Sequence, residues 1–310
     1  MGMGAGDAGI TADRETGRMR VFIFGAGYSG SAFARRIRHQ AEWIVGTTRS
    51  PDKFERLSDA GMKPLVFDGE NLSGEAADAL ARTTHLVASA APGPGGDPVL
   101  AAARDIIHGA MPDLRWIGYL STVGVYGGHD GAWVYEDSEC RPGSQRSQAR
   151  VSAEAEWLAL GEEIGIPVAV LRLSGIYGPG RNALVNLSKG TAKRVIREGQ
   201  VFNRIHVEDI AGALEHLAAR RLGGVFNVTD DEPSPPQDVV TFAASLMGVE
   251  PPPEVSFEEA EMTPMARSFW GDNKRVSNAK IRRSGYGFAY PDYRVALSRM
   301  WADGTWTGAD

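Results

Sequence analysis

Cysteine is nearly absent from this chain of 310 residues: Cys140 stands alone, which excludes an intramolecular disulfide and any multi-cysteine metal site. A catalytic thiol is not expected either, since no neighbouring histidine would activate it. Long apolar runs are missing as well, and none approaches the roughly 20 residues that span a bilayer. Residues 1–18 are rich in glycine, alanine and acidic side chains and lack the apolar segment of a secretory signal. They read as a disordered extension or a start-site artefact, which makes cytoplasmic location the default expectation. Excess positive charge is lacking too: 33 basic residues against 39 acidic ones leave a net charge of −6. That balance argues against nucleic acid or an acidic membrane as a partner.

What is present is an ordinary globular composition, 43 % hydrophobic and 23 % charged. Short β-type runs alternate with helical patterns through the first two-thirds of the chain, the signature of a parallel sheet with right-handed crossovers. Strands are expected at 20–24, 43–46, 64–67, 85–89, 115–120, 168–173 and 225–228. Helices are expected at 29–39, 52–60, 74–81, 97–108, 148–164 and 207–220. Together they make an α/β, Rossmann-type doubly wound sheet over 19–176, completed by about 204–228. From Tyr177 onward, Pro233-Ser234-Pro235-Pro236 and Pro251-Pro252-Pro253 break the pattern. Residues 177–310 are therefore expected to form mainly a smaller, interleaved C-terminal lobe that binds the substrate.

The apolar strand Val21-Phe22-Ile23-Phe24 runs into Gly25-Ala26-Gly27-Tyr28-Ser29-Gly30 and then into a helical stretch. Gly25 permits the tight turn, Gly27 lets a pyrophosphate approach the backbone, and Gly30 lets helix and strand pack closely. The amides of Tyr28, Ser29 and Gly30 open a helix N-terminus that attracts anions. This is a dinucleotide-binding pattern. The second strand ends in Thr47-Thr48-Arg49-Ser50, where a carboxylate would hold a ribose 2′-hydroxyl, and no carboxylate is there. Arg49 among the hydroxyls of Thr48 and Ser50 suits a 2′-phosphate, so NADP is expected ahead of NAD, which remains possible.

Three further segments, Tyr119 to Gly127, Leu171 to Arg181 and Arg204 to Ala211, follow in order. With the glycine turn they resemble the extended short-chain dehydrogenase/reductase superfamily, the NAD(P)-dependent epimerase/dehydratase-like proteins. The stretch Ser268 to Asn278 looks like the atypical, YeeZ-like bacterial subgroup. The resemblance implies that Thr122 polarises a substrate oxygen. It also implies a proton-carrying tyrosine and a ribose-binding lysine on the next helix, and these positions fall on Arg146 and Arg150. An arginine stays protonated near neutrality and cannot exchange a proton as tyrosine does. Arg150, one helical turn on, could still hold a ribose or phosphate.

Other candidates are Tyr126 as a substitute acid or packing residue and Tyr177 and Arg181 as substrate contacts. Asp68 would contact the adenine or cap its own loop. Ala90 is a small residue beside the cofactor, and Lys274 and Arg275 stand at the lobe side of the cleft. His206, Glu208 and Asp209 open a helix, and no metal is expected. The reading is an NADP-dependent oxidoreductase acting on a carbonyl or alcohol small molecule, with a non-catalytic dinucleotide sensor and a nucleotide-sugar epimerase or dehydratase as alternatives. Relatives are often dimers through the helices at 97–108 and 148–164, so a homodimer is a possible assembly.

Overall fold

The computed structural model describes residues 17–308, so the extension expected over 1–18 lies almost wholly outside the described residues. Seven strands form one parallel sheet: β1 (Met19–Phe24), β2 (Ala41–Thr48), β3 (Lys63–Val66), β4 (His85–Ala88), β5 (Trp116–Thr122), β6 (Val168–Leu173) and β7 (Gly224–Val228). Their spatial order is β7-β6-β5-β4-β1-β2-β3. Side chains alternate along β1, so Val21 and Ile23 enter the core on one face while Phe22 and Phe24 enter it on the other. Burial on both faces is why the strands read as nearly continuous apolar runs.

The helices are α1 (Tyr28–Ile37), α2 (Phe54–Asp59), α3 (Gly74–Ala81), α4 (Pro98–Gly109), α5 (Gln145–Ile164), α6 (Ala183–Ser188), α7 (Val207–Ala219), α8 (Pro236–Met247), α9 (Pro264–Ser268), α10 (Ala279–Arg283) and α11 (Tyr293–Ala302). Phe33 and Ile37 of α1 and Ile210 and Leu214 of α7 cover the Val21 face, while Val99 of α4 and Trp157 of α5 cover the Phe22 face. Caps fix where helices begin. Asp97 Oδ1 accepts the amides of Val99 and Leu100, with Pro98 at the first helical position. Ser144 accepts the Ser147 amide and so starts α5 three residues earlier than its apolar spacing suggested. That start puts Arg146 inside the helix, one turn before Arg150.

Beyond β6 the chain crosses to a lobe whose core is Tyr177, Leu184, Ala243, Tyr293, Ala296, Leu297 and Met300. The strand Gly175–Tyr177 pairs in parallel with Arg204–His206, which leads into α7 and back to the sheet at β7. Among the described residues, no helix is long and apolar enough to cross a membrane.

Candidate active site

Gly25 has φ +74, and a Cβ there would lie 2.9 Å from the Ala90 nitrogen, so the loop after β4 packs directly on the turn. Thr47 clamps it: its Oγ1 accepts the Gly25 amide at 3.0 Å and its carbonyl accepts the Ala26 amide at 2.8 Å. Gly27 caps α1 without any side-chain bond, and the first turn holds no acidic residue. A Cβ on Gly27 would meet nothing closer than 3.9 Å, which leaves the helix N-terminus open, whereas one on Gly30 would stand 3.2 Å from Ile23. Ser29 lines the larger cleft described below. Tyr28 turns elsewhere: its hydroxyl donates to the Pro179 carbonyl at 2.9 Å, tying the turn to the lobe, and burial pushes it up to about 12. It lines neither cavity.

Over the turn lies a cavity of about 550 Å³ lined by Thr48, Arg49, Lys53, Arg56, Phe67, Asp68 and Ala90, among others. Three cations therefore face it where one was expected. Ser50 stays outside the lining, at the cap of the short helix Pro51–Lys53. Lys53 and Arg56 escaped the sequence reading, although the spacing 49, 53, 56 is the signal for one helical face. Asp68 caps its own loop: its Oδ1 accepts the amides of Glu70 and Asn71 at 2.8 and 2.9 Å, which hold the carboxyl below its usual range.

A second cavity, about 1150 Å³, opens between the C-terminal edge of the sheet and the lobe, and Ser89 borders both. Thr122 lines it at the end of β5; its Oγ1 accepts the Gly124 amide at 3.1 Å, which leaves its own O–H to the cleft. Arg150 is pinned beside it, donating to the Leu120 carbonyl at 2.6 Å and to the Tyr119 hydroxyl at 3.2 Å. Arg146 is exposed on the cleft rim with the Met265 sulfur 3.8 Å away. Tyr177 and Arg181 line the lobe side, as does Lys274, which donates to the Gly127 carbonyl at 2.8 Å. Arg275 instead reaches the Gly131 carbonyl.

Tyr126 is corrected by the structure. It is fully buried outside both cavities, donates to Asn227 Oδ1 at 2.7 Å, and burial pushes it up to about 12. Below the cleft floor, Ser121 donates to Glu154 at 2.5 Å, and Glu154 forms a buried pair with Arg172 at 2.7 Å. The helix-opening Asp209 is consumed by Tyr286 and the amides of Ala289 and Tyr290. No group of side chains suited to a metal occurs among the described residues.

No family model matches the chain. Protein YeeZ of Escherichia coli (strain K12) is 28 % identical over 289 residues, covering 88 % of this chain and 97 % of that protein. The solved structure of a functionally unknown conserved protein from Silicibacter pomeroyi is 46 % identical. It covers 92 % of this chain and 98 % of its own, with a TM-score of 0.83. The human epimerase family protein SDR39U1 (isoform 2), solved with NADPH, shares the fold at 18 % identity, with a TM-score of 0.70 over 92 % of this chain and 100 % of its own. The chain belongs to the extended short-chain dehydrogenase/reductase superfamily. The doubly wound sheet of that superfamily places the ends of β1 and β4 at its topological switch point, where open α/β sheets bind ligands. Both cavities lie there, so the superfamily frame and the cleft geometry coincide.

Proposed function

We propose that the protein is an NADP-dependent oxidoreductase acting on a carbonyl or alcohol carbon in the larger cleft. The observation that carries this reading is the trio Arg49, Lys53 and Arg56 around a cavity that opens onto an uncapped glycine turn. The open backbone at Gly27 and the first amides of α1 would hold the pyrophosphate, and the three cations would hold the 2′-phosphate. The nicotinamide cofactor, when bound, supplies or accepts the hydride. Thr122 would donate its O–H to the substrate oxygen, and Arg150, fixed by the Leu120 carbonyl, would contact the ribose. Arg146 takes the place of the superfamily's proton-carrying tyrosine. Its charge can stabilise a developing oxyanion, while the proton must come from water or from the substrate.

Calorimetry with NADPH and NADH tests the cofactor assignment. Arg49→Ala is expected to weaken NADPH about tenfold and leave NADH unchanged, the loss of one charge-assisted contact. Equal affinities for both nucleotides throughout would end the NADP reading. NADPH oxidation against a carbonyl panel tests the reaction, with Thr122→Val expected to lower turnover by about 10²-fold, the scale of one positioned donor. The arginine at position 146 also favours a second reading, a dinucleotide sensor in which chemistry has lapsed. For a sensor, NADPH binds without being consumed and a partner protein is captured only in its presence. The epimerase or dehydratase reading is weaker, because those reactions also lean on the tyrosine.

A further inference from the structure

Six cationic side chains line the larger cleft, Arg146, Arg150, Arg181, Lys189, Arg204 and Lys274, against the single carboxylate of Asp272. None of the six forms an ion pair within 4.0 Å among the described residues. The contrast with Arg172 is instructive. Buried away from the cleft cations, Arg172 is matched by Glu154 at 2.7 Å, because an unpaired charge in that setting would cost several kcal/mol. Arg204 has no such match, although enough protein surrounds its guanidinium to pull it below the usual arginine range. Its Nη1 donates to the Phe202 and Ser234 carbonyls at 3.0 and 3.2 Å and to the Ser234 hydroxyl at 2.8 Å. The Nε–Nη2 edge has no hydrogen-bond partner among the described residues.

Two hydroxyls stand on the neighbouring strand segment. Arg204 pairs in register with Gly175, which sets Ser174 and Tyr177 at the same lobe end of the cleft. Ser174 is 5 % exposed and Tyr177 9 %, and neither side-chain oxygen has a hydrogen-bond partner. Buried polar groups are rarely left in that state unless something else completes them. The nearby carboxyl of Asp230 does not neutralise the arginine: burial lifts it to about 8, so it is largely the uncharged acid at neutral pH.

We propose that Arg204, Tyr177 and Ser174 form a subsite for an oxyanion, a carboxylate or phosphate group carried by the substrate, at the lobe end of the cleft. An oxyanion accepts from all three donors and supplies the charge Arg204 lacks, and the other five cations raise its local concentration. The assignment deepens the oxidoreductase reading by naming its substrate as anionic, and rests on that reading only for calling the ligand a substrate.

The full-length protein, without nucleotide, is titrated with benzoate and phenyl phosphate and with neutral benzamide and benzyl alcohol, by calorimetry. The two anions are expected to bind at least tenfold more tightly than the neutral pair, and whichever anion binds better identifies the group as carboxylate or phosphate. Tyr177→Phe and Ser174→Ala are each expected to weaken the anion about fivefold, the scale of one hydrogen bond to a charged group. The melting temperature should stay unchanged or rise, since the hydroxyls removed have no partner to lose. Anions binding no better than the neutral probes would overturn the proposal. So would variants that keep full anion affinity, which would place the binding elsewhere, for instance at the glycine turn. Nucleotide titrations are separate, so failure here leaves the NADP reading standing, and failure there leaves this one.

Discussion

At Asp230, one carboxyl shows how strongly burial outweighs a nearby positive charge. Desolvation lifts it from 3.8 to about 8 even though Arg204 pulls the other way. The folded protein therefore keeps a proton that the unfolded chain releases across that window. Stability from this group is fully present below the ordinary carboxylate range and is lost as pH rises toward about 8. Wild-type protein is expected to lose on the order of a few kcal/mol between about pH 4 and about pH 8 through this group alone. Asp230→Asn keeps an oxygen for the Glu232 amide and is expected to flatten the slope. Urea unfolding at several pH values checks it; parallel slopes for the two proteins would show that Asp230 is not buried as an acid.

Elements show where local chemistry and packing act together. At the turn between β1 and α1, Gly25→Ala meets two costs: a left-handed backbone of about 1–2 kcal/mol, and a methyl 2.9 Å from the Ala90 nitrogen. The melting temperature and nucleotide affinity are both expected to fall, the latter by more than about tenfold if the turn holds the pyrophosphate. Helix α5 is tied to β6 through the Glu154–Arg172 pair, with side chains 5 % and 8 % exposed. Glu154→Leu alone should destabilise by about 3–5 kcal/mol, because it strands a buried guanidinium. Adding Arg172→Met should recover most of that loss in denaturant unfolding. A double variant no better than the single one would mean that Ser121 and the Glu136 carbonyl, which also bind this pair, matter more.

For the whole molecule, net charge and site charge have opposite signs. The chain carries −6, yet three cations face the smaller cavity and six the larger. Local field lines in a cleft outweigh the distant surface, so NADPH is expected to associate more slowly as salt rises, despite the negative chain. Stopped-flow association from low to high ionic strength measures this; a rate that increases with salt would mean that the overall charge governs encounter.

The sequence by itself determined the sheet and the turn. Strands such as Val21 to Phe24 are buried on both faces and so read as unbroken apolar runs, and Gly25 announces its left-handed backbone. Arg49 was legible for the same reason: it lies next to a strand end whose position the pattern fixed. Only the tertiary structure decided the rest. Tyr126 leaves the cleft because Asn227, far along the chain on β7, accepts its hydroxyl. Arg204 reaches Ser174 and Tyr177 only through the parallel register of two short strands. Local periodicity encodes which face of an element is buried; which distant side chains then share a cavity depends on how the elements pair, and no single segment contains that information.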